Sequence, residues 1–238
     1  MSKAVVLTSG GLDSTACLAM AVNKLDNKNI AALSISYGQR HAKELEAAAQ
    51  IAKFYDVPHY QLDAASFFQF SKSSLLNTTD ALPNGTYAEQ IHHKQPISTY
   101  VPFRNGLFLS VAAAFAMSIF SDDDIQLFIG VHSDDLAGNA YPDCSASFVA
   151  SMSAAIRIGT YEKIHIVAPF LCQTKADVVK VGLELEAPFH LTWSCYEHAD
   201  FPCGKCATCI DRAKAFAVNG VADPALTFLK RNKFLSLV

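Results

Sequence analysis

Three features of this 238-residue sequence predict an α/β fold. Short apolar runs alternate with stretches of helical spacing, which is typical of a parallel sheet with helical crossovers. The first apolar run passes directly into a glycine turn and then into a helix, and four cysteines lie close together near the C-terminus. We therefore predict a doubly wound, Rossmann-like, mostly parallel sheet flanked by helices, with a small C-terminal zinc knuckle built from four cysteines.

The predicted elements alternate along most of the chain. In the second predicted helix, for example, Leu45, Ala48, Ile51 and Ala52 lie at helical spacing. The predicted strands span residues 4–7, 30–36, 58–62, 125–131 and 164–168. The predicted helices span residues 12–25, 40–54, 106–120, 145–158, 175–186 and 208–216.

One long stretch interrupts this alternation. Residues 64–99 are rich in serine, asparagine and proline and carry no clear pattern. Because a long irregular segment inside a compact domain is usually functional, we predict an insertion that forms a lid or a dimer contact. We divide the chain into a nucleotide-binding α/β domain at 1–190 and a zinc-binding C-terminal subdomain at 191–238 packed on it.

Composition limits the kinds of binding partner and the cellular compartment that we predict for this chain. The net charge of −3 gives no basic footprint, so we predict no stable nucleic-acid partner. The longest apolar run, 107–120, is too short to span a membrane and suits a buried helix, so we predict no membrane partner. The N-terminus runs straight into a strand, and we predict no signal peptide. Seven cysteines with a tight cluster indicate metal binding rather than disulfides, which favours the cytoplasm.

The loop after the first strand predicts an ATP site. Its two glycines let the backbone approach a phosphate, and the following helix presents free N–H groups to it. Asp13 beside phosphates indicates a role with Mg²⁺. The pattern is neither G-x-x-x-x-G-K-[ST] nor G-x-G-x-x-G. The plainer interpretation is a mere connection between strand and helix. The predicted nucleotide-binding residues are Leu7, Thr8, Ser9, Gly10, Gly11, Leu12, Asp13, Ser14 and Thr15.

The cysteine cluster is the strongest local signal. Cys203, Cys206 and Cys209 form two overlapping C-x₂-C pairs, and Cys195 lies upstream. Four thiolates match a closed, structural Zn²⁺ site, and Gly204 allows the turn between the first pair. We predict one structural zinc ion per subunit. An iron–sulfur cluster also takes four cysteines and is the alternative, and four unliganded thiols are the plainest interpretation.

Two further motifs carry candidate substrate-binding side chains. SYGQRH ends the second strand, where ligands bind in open α/β sheets, and supplies Tyr37, Gln39 and Arg40. TYVPFRN opens the buried helix with Arg104 and Asn105, and a charge at that place needs a partner such as an anionic ligand. The plainer interpretations are an exposed helix start for the first motif and a structural salt bridge for the second.

The segment GVHSDDLAGNAYPDC follows the fourth strand. Its Asp135, Tyr141 and Asp143 suit hydrogen bonds to the N–H edge of a heterocycle, or Mg²⁺. An acidic surface loop is the plainer interpretation, and a small buried thiol is the commoner meaning of Cys144. Lys175 begins a later helix at the same predicted sheet edge, where it can neutralise phosphates.

These motifs occur together in one family. The strings SGGLDST, SYGQRH, TYVPFRN, YPDC, TKAD and SCY…CGKCATCIDR, in that order, resemble the QueC family of PP-loop ATP pyrophosphatases. The resemblance covers most of the chain. It implies an ATP-dependent carbon–nitrogen ligase that converts 7-carboxy-7-deazaguanine and ammonia to the nitrile 7-cyano-7-deazaguanine (preQ0), through adenylated intermediates, in queuosine biosynthesis. It also implies a zinc knuckle and a homodimer.

With that resemblance, roles can be assigned to the candidate residues. The catalytic candidates are Asp13, Arg104 and Lys175. Arg104 and Lys175 are expected to stabilise the negative charge that develops in the transition state. The candidates for the deazaguanine are Tyr37, Gln39, Arg40, Asn105, Asp135, Tyr141 and Asp143.

Two positions depart from the motifs of the family. Phe103 stands where the family usually has glycine in VPGRN, and Ser145 stands where it has arginine after YPDC. A QueC-like ATPase acting on another carboxylate, including a protein carboxylate, is therefore an alternative function. Among PP-loop relatives, a tRNA thiolase would show a basic surface and cleft cysteines. From a different class, a non-catalytic zinc- and nucleotide-binding regulatory protein would bind ATP without forming AMP.

Overall fold

The computed structural model describes residues 2–39, 43–76, 82, 96–121, 124–135, 140–197 and 201–226. Within these residues the strands are β1 (Ser2–Leu7), β2 (Ile30–Ser36), β3 (His59–Asp63), β4 (Asp124–Phe128) and β5 (Ile164–Val167). The longer helices are α1 (Leu12–Val22), α2 (Lys43–Phe54), α3 (Arg104–Ile119), α4 (Ala146–Gly159), α5 (Lys175–Glu184) and α6 (Ala207–Val218).

The five strands form one parallel sheet in the order β3-β2-β1-β4-β5. The chain winds outward from β1 to one edge and then returns to build the other edge from β4. Such a reversal opens a crevice beyond the carboxyl ends of the two central strands, which is where ligands bind in this class of fold. The loop after β1 and the loop after β4 flank that crevice. The predicted doubly wound sheet is confirmed.

Alternate side chains of the central strands enter two separate cores. Val5, Leu33 and Leu127 pack on one face of the sheet with residues of α3 and α4. Ala4 and Val6 pack on the other face with α1, α2, α5 and α6. Strands that are apolar on both faces are typical of a parallel sheet covered by helices on each side. This double burial explains why the strands appear in the sequence as continuous apolar runs.

Most predicted elements occur in the structure, and their ends differ by a few residues. The strand predicted at 30–36 is confirmed at both ends. The prediction that the fourth strand continues to 131 is wrong, because β4 ends at Phe128 and the chain then turns against the start of α1. A Cβ atom on Gly130 would lie 2.9 Å from the carbonyl carbon of Asp13. α1 and α5 end before their predicted limits, at Val22 and Glu184.

The described residues do not test two predictions about the organisation of the chain. In the stretch 64–99, Ala65–Phe68 form a 3₁₀ turn, but residues 77–81 and 83–95 lie outside the described residues. The lid or dimer contact therefore stays a prediction. The boundary near residue 190 also stays a prediction. The Trp193 N–H donates to the Gly10 carbonyl oxygen at 2.9 Å, so the chain just beyond that boundary packs directly on the loop after β1.

In the part of the chain that is described, no helix combines the length and apolar character needed to cross a membrane.

A buried arginine ties the C-terminal segment to the rest of the protein. Arg212 of α6 binds Asp223 with two charge-assisted hydrogen bonds, Nε to Oδ2 at 2.6 Å and Nη2 to Oδ1 at 2.8 Å. Both side chains are 6% exposed. Nη1 donates to Thr192 and Ser194, and Nη2 also donates to the Phe189 carbonyl oxygen. The pair thus fixes the segment that carries Ser194 on the body of the protein.

Replacing Asp223 by alanine is expected to destabilise the protein by about 3–5 kcal/mol, because it leaves the Arg212 charge buried without its counter-charge. Urea unfolding of the metal-loaded protein measures this change. Arg157→Ala is the matched control, since it removes an ion pair with Glu162 whose side chains are 48% and 58% exposed. Exposed pairs contribute about 0–1 kcal/mol. Equal effects of the two substitutions would contradict the role given to Arg212.

Candidate active site

The loop after β1 forms one wall of a cleft at the carboxyl edge of the sheet. Gly10 has a left-handed φ of +81°, and a Cβ atom there would lie 2.2 Å from the Glu44 carbonyl oxygen of α2. Only glycine fits this turn, because any side chain would meet backbone. Ser9 and Ser14 are hydrogen-bonded to each other across the loop, at 3.2 Å between their hydroxyl oxygens. The loop is therefore held in a single compact turn.

The N-terminus of α1 is available to an anion. Gly11 precedes the helix and provides no side-chain cap. Ser9, Gly11, Asp13 and Ser14 line the cleft. The N–H groups of a helix start, with the positive end of the helix dipole, favour a phosphate. The Thr15 hydroxyl is not available to the anion, because it donates to the Gly11 carbonyl oxygen at 2.7 Å. Thr15 is also buried within α1.

An ionic cluster lies beside this helix start. Lys175 Nζ donates to Asp13 Oδ2 at 2.6 Å and lies 3.3 Å from His132 Nε2. The same His132 nitrogen is 3.5 Å from Asp135 Oδ1 and 3.7 Å from Asp13 Oδ1. His132 is 4% exposed, whereas the side chains of Lys175, Asp13 and Asp135 are 16%, 22% and 24% exposed. It brings together the loop after β1, the loop after β4 and the start of α5.

Burial and charge act differently on the two carboxyl groups of the cluster. Burial works against ionisation of Asp13, but the adjacent Lys175 and His132 lower its pKa below the ordinary value. Burial raises the pKa of Asp135, and His132 and Lys175 offset only part of that rise. Asp13 Oδ1 is buried and, within the described residues, accepts no hydrogen bond. An ionised carboxylate with one unsatisfied oxygen beside a phosphate site fits a Mg²⁺ ligand.

A second group of side chains faces the same cleft from α3. Arg104 lies with its guanidinium carbon 5.4 Å from the centre of the Tyr37 ring, and its Nη1 is 3.5 Å from the Tyr37 hydroxyl. Burial raises the pKa of Tyr37 to about 12, although Arg104 acts against this rise. Tyr37 therefore stays a neutral phenol near neutral pH. Arg104 thus brings a positive charge to the wall of the cleft, where it can meet an anion.

The YPDC turn positions the start of α3. Asp143 Oδ2 accepts from the Asn105 backbone N–H at 3.0 Å, and the Asn105 side-chain amide donates to the Asp143 carbonyl oxygen and to Cys144 Sγ, each at 3.2 Å. The Tyr141 hydroxyl is hydrogen-bonded to Thr99 at 2.8 Å. Burial raises the pKa of the Cys144 thiol, so it is an acceptor for Asn105 rather than a thiolate nucleophile.

The four clustered cysteines form a candidate metal centre behind the cleft. Their sulfur atoms all lie within 4.8 Å of one another, and Cys203 Sγ is 4.0 Å from Cys209 Sγ. Tetrahedral Zn²⁺ with Zn–S bonds of about 2.3 Å requires sulfur separations of about 3.8 Å. Gly204 has the left-handed φ (+74°) that the turn between Cys203 and Cys206 needs. Two backbone N–H groups, of Cys203 and Cys206, donate to cysteine sulfurs at 3.3 Å. The donor set thus fits a closed metal site.

Comparison with protein families gives one match that spans nearly the whole described core. Residues 3–220 match the family described as "Queuosine biosynthesis protein QueC". The chain belongs to the QueC family. The expected resemblance is therefore confirmed.

Curated relatives of this QueC chain carry a common name. It is 37% identical to the 7-cyano-7-deazaguanine synthase of Archaeoglobus fulgidus over 226 residues, which is 94% of this chain and 90% of that protein. It is 41% identical to the synthase of Thermoplasma volcanium, over 98% of this chain and 94% of that protein. It is 39% identical to the synthase of Pseudoalteromonas atlantica, over 94% of this chain and 98% of that protein.

Phe103 and Ser145, the two residues that depart from the QueC motifs, both contact Phe148 in the first turn of α4. Phe103 has a left-handed φ of 55°, the conformation that glycine adopts most easily, and its ring packs edge-on against Phe148 at 5.7 Å. Ser145 caps α4 by accepting from the Phe148 N–H at 3.2 Å. Both residues therefore act on the first turn of α4. Neither residue lines the cleft, whereas Arg104 and Asn105 do.

The structure brings most of the predicted site residues into the cleft. Asp13, Lys175 and Asp135 form the ionic cluster, while Asn105 and Asp143 are bonded to each other nearby. Gln39 lines the cleft, but its side-chain oxygen accepts from the Tyr37 N–H at 2.9 Å. Arg40 lies outside the described residues. Predicted residues among the cleft-lining side chains are Leu7, Thr8, Ser9, Gly11, Leu12, Asp13, Ser14, Tyr37, Gln39, Arg104, Asn105, Asp135, Tyr141 and Lys175.

Several residues of the cleft were missed by the sequence analysis. His132 follows β4 within the segment GVHSDD, and Glu44 lies in the first turn of α2 after SYGQRH. A search for every titratable residue near the carboxyl end of a strand would have found both. Tyr196 also lines the cleft, but no local pattern predicts it, because its position depends on how the cysteine segment folds back on the sheet.

Proposed function

We propose that this chain is a 7-cyano-7-deazaguanine synthase, a carbon–nitrogen ligase that makes preQ0 from 7-carboxy-7-deazaguanine and ammonia at the expense of ATP. The observation that supports the proposal is a cleft in a QueC-family chain that is lined both by the start of α1, which suits phosphate, and by Arg104 and Asn105. One end suits the phosphates of ATP and the other suits a planar, carboxylate-bearing heterocycle.

The first half of the proposed reaction activates the carboxylate. The loop after β1 and the start of α1 bind the pyrophosphate end of ATP. The carboxylate oxygen of the substrate attacks the α-phosphate, the bond to the β-phosphate breaks, and pyrophosphate leaves. Lys175 offers positive charge to the developing negative charge, as Arg104 does from the other side. Asp13 and its unsatisfied Oδ1 would hold Mg²⁺, whose chemistry is to neutralise phosphate charge.

The second half converts the acyl-adenylate to the nitrile. Ammonia attacks the acyl carbon, AMP leaves, and an amide remains. The amide oxygen then attacks the α-phosphate of a second ATP, and loss of AMP with two N–H protons leaves the nitrile. The protein contributes mainly by holding the reacting groups together and by stabilising charge. We propose that Tyr37, Asn105, Asp135 and Tyr141 orient the heterocycle, and that Asp143 acts through its hydrogen bonds to Asn105.

The metal of the four-cysteine centre is proposed to be zinc. One Zn²⁺ draws four thiolates into a single coordination sphere, which agrees with sulfurs lying within 4.8 Å. In a four-iron cluster each iron binds one thiolate, so the cluster separates the thiolates by its own width. The site is proposed to be structural, since four protein ligands leave no open position. We also propose a homodimer in the cytoplasm, on the resemblance to the family.

The direct test is incubation with 7-carboxy-7-deazaguanine, ammonium, Mg²⁺ and ATP, with mass detection of the product. Formation of preQ0 with release of AMP is expected. Formation of AMP without the nitrile would contradict the proposal, because the reaction would then stop at the adenylate or the amide. No AMP with this substrate, but release of AMP with another carboxylate, would favour the alternative that the Ser145 departure raises. Binding of ATP without AMP would favour a non-catalytic protein.

A further inference from the structure

Glu44 lies in the wall of the cleft and has no role in the mechanism so far. It lies in the first turn of α2, and its backbone carbonyl oxygen is the atom that packs against Gly10. Its side chain lines the cleft together with Tyr37 and Arg104. The residue is therefore placed between the phosphate-binding loop and the side chains proposed to hold the heterocycle. The acyl carbon must lie between these same two groups during the reaction.

The other acidic side chains of the inner cleft already have partners. Asp13 is paired with Lys175, and Asp135 accepts from the His132 backbone N–H at 3.4 Å. Asp211, which also lines the cleft, is close enough to Lys175 and Lys214 for both cations to act on its carboxyl group. Glu44 differs from these three. Among the described residues, the charged and titratable groups that act on it are Arg104 and Tyr37, and Arg40 and His41 lie outside the described residues.

The carboxyl group of Glu44 is suited to accept protons near neutral pH. Burial raises its pKa to about 7, while Arg104 acts to lower it. A general base works best when its pKa lies near the operating pH. The proposed reaction needs such a group, because nitrogen enters as NH₃ and leaves in the nitrile without any proton.

We propose that Glu44 is the general base of amide formation, an assignment that rests on the proposed function. Attack of NH₃ on the acyl-adenylate forms a C–N bond and leaves a positively charged nitrogen. The Glu44 carboxylate takes one N–H proton as the C–O bond to AMP breaks, which yields the neutral amide, AMP and a protonated Glu44. The protonated carboxyl group then returns its proton to water. The same carboxylate takes N–H protons from the amide nitrogen after its second activation.

Glu44→Gln tests this role, because it keeps the shape of the side chain and leaves the backbone contact with Gly10 intact. Carboxylate-dependent exchange of labelled pyrophosphate into ATP is expected to stay within about threefold of wild type. Amide formation is expected to fall by about 10²–10⁴-fold. Glu46→Gln is the matched control, since Glu46 lies on the same helix, is 58% exposed and pairs only with Lys43 among the described residues. It is expected to leave both reactions unchanged.

A pH profile gives a second readout. At a constant concentration of free ammonia, the wild-type rate of amide formation should fall as the pH drops below about 7, because Glu44 becomes protonated. Glu44→Asp should keep such a limb, and Glu44→Gln should lose it. Retained amide formation in Glu44→Gln, or loss of pyrophosphate exchange along with it, would overturn the assignment. Wild-type protein that exchanges pyrophosphate but forms no nitrile would contradict the proposed function, and the role of Glu44 with it.

Discussion

Replacing Asp13 by asparagine is expected to lower the rate of AMP formation by about 10²-fold or more. The substitution removes the carboxylate that lies 2.6 Å from Lys175 and the unsatisfied oxygen that fits Mg²⁺. It changes the charge at the start of α1 without changing the size of the side chain. Steady-state release of AMP, measured with the carboxylate substrate and saturating ammonium, gives the effect.

Asp56→Asn is the matched control for this prediction. Asp56 is an exposed aspartate after α2 with a left-handed φ of 53°, a conformation that asparagine also adopts readily. Its substitution should leave AMP formation unchanged. Full activity of Asp13→Asn over a range of Mg²⁺ concentrations would show that the carboxylate has no part in the chemistry.

Loss of one ligand of the four-cysteine centre is expected to have the largest effect on stability. Cys203→Ser should abolish stoichiometric zinc and destabilise the protein by roughly 5 kcal/mol or more, because metal binding contributes folding free energy directly. For a protein of this size, that corresponds to a fall in Tm of roughly 10–20 °C. The contacts explain why activity should fall as well. Trp193, next to this centre, donates its backbone N–H to the carbonyl oxygen of Gly10 in the loop after β1.

Metal analysis and thermal unfolding measure the two effects together. Cys172→Ser is the control, since Cys172 is exposed and lies outside the cluster. It should keep one zinc ion per chain and the wild-type Tm. Cys203→Ser protein with unchanged metal content and unchanged Tm would contradict a four-cysteine site. Iron and visible absorbance in the purified wild-type protein would instead support the iron–sulfur alternative.

The sequence could predict those parts of the site that depend on neighbouring residues. The turn at Gly10 and Gly11 follows from a strand, two glycines and a helix start in direct succession. The ligand set of the metal centre follows from cysteine spacing, and the structure confirms that these four sulfurs lie together. The sheet follows from the alternation of apolar runs, since buried parallel strands are apolar on both faces.

Interactions between distant segments could not be predicted in the same way. The pairing of Asp13 with Lys175 joins residues that are 162 positions apart in the chain. His132 completes that cluster through the end of β4, and Glu44 enters the cleft because α2 packs on Gly10. Arg212 and Asp223 appear in the sequence as ordinary surface charges, yet they form a buried pair. The contacts of Asp13, His132 and Glu44 depend on how the crossovers bring the strand ends to one edge of the sheet.

Attack of the substrate carboxylate on the α-phosphate of ATP would transfer a carboxylate oxygen to phosphorus, and this transfer can be measured. The measurement is mass spectrometry of the nucleotide products after turnover of 7-carboxy-7-deazaguanine labelled with ¹⁸O in both carboxylate oxygens. We expect two AMP molecules per nitrile, each carrying one ¹⁸O atom, because each activation transfers one carboxylate oxygen to phosphorus. Unlabelled AMP, or ADP with phosphate as the products, would contradict this mechanism.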